Sequence, residues 1–232
     1  MANLSPANLT ALVVFFVCWL GYEPLLKSLA RRHGGVINTD MTVIRSAWMR
    51  NMAQRDNRFI DSQLLGHALS SASFFASSNL ILIAAVASAL FSGDRTFRSV
   101  SSLVAIQTST RLLFEGQLAL VLVTLARGLL EFMWSIRQMN YCLASFGAAP
   151  LDGDPELQRR FGEAAARLLN PALSAFNQGV RAYYFALAAG AWVFGPWPCI
   201  AATLGAVTLL LWRQRRSRAA GAIADMRRLL EG

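Results

Sequence analysis

The residues that carry most enzyme chemistry are scarce in this chain. Its 232 residues include only two histidines and three cysteines: His33, His67, Cys18, Cys142 and Cys199. None of them has a second histidine or cysteine at a metal-ligand spacing, and three cysteines cannot form a disulfide framework. The sequence also lacks a phosphate-binding loop, a Gly-x-Ser-x-Gly motif and an HExxH motif. We therefore expect no enzyme activity, no cofactor and no metal site.

Charged residues are also few. They make up 15% of the chain and apolar residues 55%, whereas a soluble domain carries about 25% charge. The net charge is +9, and Lys27 is the single lysine, so arginine supplies nearly all of the positive charge. Beside long apolar runs, such an excess marks inner loops that face anionic lipid headgroups rather than nucleic acid. The composition predicts an integral membrane protein whose partner is the lipid bilayer, with no nucleic-acid partner.

Three apolar runs predict membrane-crossing helices at residues 9–26, 68–91 and 112–136. The run 68–91 contains no charged residue and is long enough for a hydrocarbon core of about 30 Å. Basic residues follow the first run instead of preceding it, which favours an N-terminus outside the membrane. We predict an all-α fold, a polytopic transmembrane helix bundle that forms one membrane domain over residues 1–232.

A fourth apolar run, residues 183–212, crosses once as a long helix or turns back as a hairpin. The sequence Gly195-Pro196-Trp197-Pro198 lies in its middle and favours a break. A hairpin also keeps the arginines of residues 213–228 on the same side as those of residues 27–58 and 137–181. We predict the hairpin, with Arg95, Arg98 and Arg111 as the outer basic residues.

Two polar segments predict amphipathic helices on the inner side. Residues 38–67 form one long helix that leads into the second crossing, with Asp40 as N-cap and Arg58 paired with Asp61. A further helix begins after Asp154, with Pro155 at its first position. The first helix carries a basic face that contacts lipid headgroups or, in a second interpretation, lines a vestibule or ligand site: Arg45, Arg50, Arg55 and Arg58.

Polar residues recur along the third crossing and define what we call the polar stripe: Thr110, Gln117, Thr124, Arg127, Glu131, Ser135 and Gln138. Five of these residues follow each other at intervals of seven, and the other two lie one helical turn away. An ionisable group facing lipid costs about 2.5–3.5 kcal/mol, so the stripe must face protein or water. It is either a seam between helices or a pathway for an ion or small solute, with Arg127 and Glu131 paired.

The second crossing carries small side chains on one face, which predicts close helix packing. These residues are Ser70, Ser73, Ser77, Ala84 and Ser88.

Several stretches together resemble one family of bacterial and plant membrane proteins, the domain of unknown function 599 family. They are residues 48–50, 55–58, 61–63, 73–77, 132–141, 147–150, 181–185 and 192–196. The resemblance implies a multi-pass membrane protein and implies no activity. The preference for arginine over lysine suggests a bacterial source and hence the inner membrane.

Two functions remain open from the sequence. The stripe runs through the whole crossing, which favours a channel- or transporter-like pathway in a homo-oligomer. The alternative is a non-transporting scaffold that organises partners or lipids through its arginine-rich cytoplasmic face.

Overall fold

The protein is almost entirely helical over the residues that the structure describes. This computed structural model describes residues 5–33, 36–92, 97, 110–151 and 154–231. No β-strand occurs in these ranges, and the predicted all-α fold is confirmed. The helices are α1 (Pro6–His33), α2 (Ile37–Ala53), α3 (Phe59–Phe91), α4 (Arg111–Ala148), α5 (Pro155–Gly190), α6 (Pro196–Arg216) and α7 (Arg218–Glu231), with a 3-10 turn at Ala191–Phe194.

Within the described residues, three helices are long and apolar enough to cross a membrane. They are Pro6–Arg31, Phe59–Phe91 and Arg111–Ala148, and each contains one of the crossings predicted at 9–26, 68–91 and 112–136. At about 1.5 Å per residue, the 33 residues of α3 extend about 50 Å, beyond a hydrocarbon core of about 30 Å. Each helix is therefore longer than the apolar run that predicted it.

The predicted single helix over residues 38–67 is wrong, because it is two helices. Helix α2 ends at Ala53, and the backbone N–H of Gln54 donates to carbonyls of the last turn. Helix α3 starts at Phe59, whose backbone N–H donates to Oδ1 of Asn57 at 2.9 Å. Asp40 is not the N-cap either, since α2 begins after the extended residue Val36 and Asp40 lies in its first turn. An asparagine that caps the second helix favours the interruption.

The run 183–212 is interrupted at its glycine and proline. Helix α5 begins at Pro155 and ends at Gly190, and the 3-10 turn follows. Gly195 has a φ of 122°, a conformation that side-chain-bearing residues rarely adopt. Pro196, which has no backbone N–H to leave unpaired, then opens α6. The membrane hairpin built on this interruption stays a prediction, and the predicted outer residues Arg95 and Arg98 lie outside the described residues.

The chain forms two compact units from discontinuous segments. The first unit comprises Met1–Arg32, Ser78–Leu129 and Val180–Trp212, and the second comprises His33–Ser77, Leu130–Gly179 and Arg213–Gly232. In the first unit, the ring of Phe185 packs edge-on against Phe15 of α1 and against Tyr22. That unit therefore joins α1 to the C-terminal part of α5.

The core of the second unit is built by apolar residues from α2, α3, α4 and α5. Its fully buried members include Met49, Leu65, Met139 and Leu169. Helix α5 approaches α2 so closely that a Cβ atom at Gly162 would lie 2.6 Å from the Cα of Arg50. A glycine is needed at this point, since any side chain would press on backbone.

Candidate functional site

In the first unit, the polar stripe is buried and hydrogen-bonded to backbone. Gln117 is 1% exposed, and its Nε2 donates to the carbonyl of Trp192 at 3.0 Å. The indole Nε1 of Trp192 donates to Oδ1 of Asn8 at 2.8 Å. Thr124, also buried, donates to the carbonyl of Leu120 in its own helix. The amide of Gln117 therefore joins α4 to the 3-10 turn, and the indole joins that turn to α1.

In the second unit, the stripe continues with Ser135 and Gln138, both buried. The hydroxyl of Ser135 donates to the carbonyl of Ala172 in α5 at 2.7 Å. This bond joins α4 to α5 inside the unit, where an unpaired hydroxyl would cost free energy. The buried members of the stripe that have a backbone acceptor are thus Gln117, Thr124 and Ser135.

The remaining stripe residues are more accessible. Thr110 and Arg127 are exposed and Glu131 is half-buried. The guanidinium of Arg127 lies over the ring of Trp19 in α1, 5.3 Å from the ring centroid. This distance is short enough for a cation–π interaction. The predicted pairing of Arg127 with Glu131 stays a prediction.

The small-residue face of α3 is largely exposed on this chain. Ser70, Ser77, Ala84 and Ser88 are exposed and Ser73 is half-buried. The buried positions of α3 are instead Leu65, Ala72, Ala76, Asp61 and Asn79. The Nδ2 of Asn79 donates to the carbonyl of Leu125 at 2.9 Å, which joins α3 to α4 in the first unit. The packing role of the small-residue face stays a prediction, because a second helix or protein copy would have to cover these exposed residues.

The predicted pairing of Arg58 with Asp61 is wrong, because Arg55 occupies that carboxylate. Asp61 is fully buried, and its Oδ1 accepts from the guanidinium of Arg55 and from Nε1 of Trp48 at 2.7 Å. The break at residues 54–58 lets Arg55 fold back onto α3, which a continuous helix would not allow. The carboxylate therefore joins the end of α2 to the start of α3.

Arg58 instead donates to the backbone carbonyls of two chain segments. It reaches the carbonyls of Ala149 and Pro150, each at 2.8 Å, and those of Met52 and Ala53, each at 3.3 Å. The last carbonyls of a helix have no partner within it and carry partial negative charge. One guanidinium therefore satisfies the ends of both α2 and α4.

Arg45 is the member of the basic face that the protein buries without a partner. It is 8% exposed, and its Nε is enclosed and makes no hydrogen bond to the part of the chain that the structure describes. Burial without a compensating charge lowers the pKa of its guanidinium from the usual 12.5 to about 10. A buried cation of this kind is costly for the fold unless something pairs with it.

Arg50, the fourth arginine of the predicted basic face, is half-buried where α5 approaches α2. The predicted face is therefore divided. Arg55 pairs with a carboxylate and Arg58 with carbonyls, so these two residues stabilise the second unit. Arg45 has no such partner among the described residues and remains available to bind an anion.

An ion pair that the sequence analysis missed joins α2 to α7. Asp40 is buried, and its Oδ1 accepts from Arg227 at 2.8 Å, while Arg227 also bonds Glu231 at 3.0 Å. The hydrogen bond to Asp40 raises the pKa of Arg227 above its usual value. The two residues are 187 positions apart, so no local pattern could have predicted the pair.

Metal ligands and nucleophiles do not assemble in the described ranges. No group of three or more histidine, cysteine, aspartate or glutamate side chains there could hold a metal ion. Cys142 and Cys199 are buried free thiols, and Cys18 is half-buried. The described residues offer hydrogen bonding and, at Arg45, a cation that can recognise an anion.

Comparison with known proteins gives a family match. A family model described as "Protein of unknown function, DUF599" matches residues 10–219. No curated protein and no solved structure matches the chain. The match confirms the family resemblance drawn from the sequence and brings no activity with it.

Proposed function

Since the chain belongs to the DUF599 family of unknown function, we propose its role from its own geometry. It is an integral protein of the bacterial inner membrane that does not transport, and it binds anionic lipids and partners through its basic cytoplasmic helices. The three apolar helices support the membrane location. The scaffold interpretation takes precedence over the pathway interpretation because of where the polar stripe directs its hydrogen bonds.

The observation that carries this proposal is the pairing of the buried stripe. Gln117, Thr124 and Ser135 are each at most 1% exposed, and each donates to a backbone carbonyl within its unit. Side chains that line a conducting pathway keep their polar atoms available to water or solute. Gln117 and Ser135 join α4 to other segments, as polar groups do in seams between transmembrane helices, whereas Thr124 bonds within α4.

Charge supports the lipid-binding part of the proposal. The C-terminal segment from residue 213 to residue 228 carries six arginines, Arg213, Arg215, Arg216, Arg218, Arg227 and Arg228, and one acidic residue, Asp225. A basic residue near an anionic leaflet contributes about 1 kcal/mol to membrane attraction. Helix α7 lies against α2 through the Asp40–Arg227 pair. That pair brings part of the segment to the helix that carries Arg45.

A pathway in a homo-oligomer is the second candidate function. It is favoured by the exposure of Arg127 within the apolar helix Arg111–Ala148 and by the exposed small face of α3. A second copy could cover that face and enclose Arg127 between subunits. In that case the half-buried Glu131 would belong to the conducting surface.

Flux through proteoliposomes separates the two functions. The full chain is reconstituted in vesicles of phosphatidylethanolamine and phosphatidylglycerol, and the release of K⁺, Cl⁻ and a small neutral sugar is measured. We expect release no faster than from protein-free vesicles, both for the wild type and for Glu131→Gln. Release above that level, altered by Glu131→Gln and by Arg127→Gln, would refute the scaffold and support the pathway.

A second experiment tests the lipid-binding part of the proposed scaffold function. The delipidated chain in a nonionic detergent is titrated with dioctanoyl phosphatidylglycerol and with dioctanoyl phosphatidylcholine, and thermal unfolding is followed. We expect the anionic lipid alone to raise the unfolding temperature, because ligands of the native state stabilise it. Equal effects of the two lipids would contradict the proposal.

A further inference from the structure

Arg45 presents a buried positive charge that the fold does not explain. Its neighbours one and two turns along the same face of α2, Met49 and Met52, are fully buried in the apolar core of the second unit. A methionine at position 45 would continue that face without any electrostatic cost. Arg45 keeps 8% exposure, so a ligand can reach its side chain, while its Nε is enclosed and has no hydrogen-bond partner among the described residues.

Two amide oxygens of the second unit, one on α2 and one on α5, are also buried and have no partner among the described residues. Asn38 lies seven residues before Arg45, on the same face of α2, and long side chains on a helix extend toward its N-terminus. Asn170 of α5 contacts α2 beside Arg45, because its Nδ2 donates to Oγ of Ser46 at 3.3 Å. The Oδ1 atoms of Asn38 and Asn170 accept no hydrogen bond from the described residues.

We call Arg45, Asn38 and Asn170 the Arg45 cluster. Their unpaired polar groups determine which groups a ligand must carry. An unpaired guanidinium requires an anion, and it matches phosphate oxygens in geometry as well as charge. Two unpaired amide oxygens require hydrogen-bond donors. A bare anion would satisfy Arg45 and leave both oxygens without partners, at a cost for each. The ligand therefore combines a phosphate with a neighbouring hydroxyl or ammonium group.

We propose that the Arg45 cluster binds a phosphate ester that carries hydrogen-bond donors next to the phosphate, with Arg45 on the phosphate and Asn38 and Asn170 on the donors. The glycerol headgroup of phosphatidylglycerol has this chemistry, and so does soluble glycerol phosphate. This site rests on the proposed function and deepens it, because it assigns lipid recognition to particular residues. Oδ2 of Asp61 is also buried without a partner among the described residues, but it belongs to a carboxylate, which would repel a phosphate.

The test measures ligand affinity of the delipidated full chain in detergent. The probes are dioctanoyl phosphatidylglycerol, dioctanoyl phosphatidylcholine, glycerol 3-phosphate and inorganic sulfate. We expect phosphatidylglycerol to bind at least about tenfold more tightly than phosphatidylcholine, whose choline offers no donor. Tighter binding of glycerol 3-phosphate than of the lipid would identify a soluble phosphate ester as the source. Binding of sulfate, which accepts hydrogen bonds but donates none at neutral pH, as tight as that of both esters would overturn the donor requirement and with it the proposal.

Three variants locate the site. Arg45→Met removes the cation and should weaken phosphatidylglycerol binding at least about tenfold. Asn170→Asp keeps the shape of the side chain and places a carboxylate beside the guanidinium, so it should exclude phosphate in a protein that still folds. Arg159→Met is the matched control, because it removes an exposed arginine of the same unit that pairs with Glu156 and Glu163. The control should bind as the wild type does.

The outcomes separate this inference from the proposed function. If the wild type prefers phosphatidylglycerol and both Arg45→Met and Asn170→Asp keep that preference, the site is wrong and the scaffold function stands. If the wild type shows no preference for the anionic lipid, both proposals fail. Unfolding curves recorded for every variant show that a loss of binding comes from the site and not from a loss of fold.

Discussion

Replacing Arg45 with methionine should stabilise the ligand-free protein. The wild-type fold holds Arg45 at 8% exposure without a counter-charge in the described residues. Methionine has a similar length and no charge, and its neighbours Met49 and Met52 already pack in the same core. Exchanging a buried unpaired charge for an apolar side chain of comparable volume is commonly neutral or stabilising.

The magnitude follows from the pKa of the guanidinium. Burial lowers it from 12.5 to about 10, and each pH unit corresponds to about 1.4 kcal/mol, so the charged form costs the fold roughly 3 kcal/mol. The native state binds this proton less tightly than the unfolded state does. The cost is therefore complete below pH 10, and it decreases between pH 10 and 12.5 as the native state releases the proton first.

Thermal unfolding of the delipidated protein in nonionic detergent measures this effect. We expect Arg45→Met to unfold several degrees above the wild type at pH 7, and phosphatidylglycerol to reduce the difference by stabilising the wild type alone. Arg159→Met should unfold close to the wild type, since exposed ion pairs contribute little. An Arg45→Met protein that unfolds below the wild type without added lipid would refute the reasoning, because it would mean that the cation has a stabilising partner.

Three further predictions concern the scaffold around this site. Gly162→Ala should destabilise the protein by about 1–3 kcal/mol, because its Cβ would meet the backbone of Arg50; Gly66→Ala, with nothing within 4 Å, should be neutral or stabilising in the same unfolding assay. Arg227→Met should lower the unfolding temperature and speed hydrogen exchange in α7, because it strands the buried carboxylate of Asp40; Asp40→Asn combined with it should recover part of the loss. Cysteines placed at positions 2 and 230, in a chain whose native cysteines are replaced by alanine, should label from opposite sides of the membrane, and labelling of both from the periplasm would exclude the membrane hairpin.

Long apolar runs made the crossing helices predictable. An uncharged run such as 68–91 must be helical to satisfy its backbone in lipid, whatever the rest of the chain does. Glycine and proline made two helix boundaries predictable. Pro155 begins α5, and Gly195 takes a φ of 122° before Pro196 begins α6. These features depend on residues adjacent in sequence, which is why the sequence alone could place them.

The division of residues 38–67 depends on contacts that no local pattern contains. Apolar residues continue at helical spacing across residues 54–58, so periodicity predicted one helix. Arg58 instead bonds Ala149 and Pro150, more than 90 positions away, and these bonds stabilise an open end of α2. A pattern within one segment cannot show that its carbonyls have a distant partner.

The arginines of α2 and of the turn that follows it also show why charge counting could not identify the site. The positive-inside rule treats Arg45, Arg55 and Arg58 as equivalent, since it uses only their position in sequence. Their environments differ, because Arg55 pairs with Asp61 and Arg58 with carbonyls, so truncating either residue would leave a buried acceptor unsatisfied. Truncating Arg45 would leave no described acceptor without a partner. The fold therefore gives no reason for an arginine at this position, and the reason must be sought in binding. A bound phosphate ester provides that justification, because it converts an unpaired buried cation into a paired one.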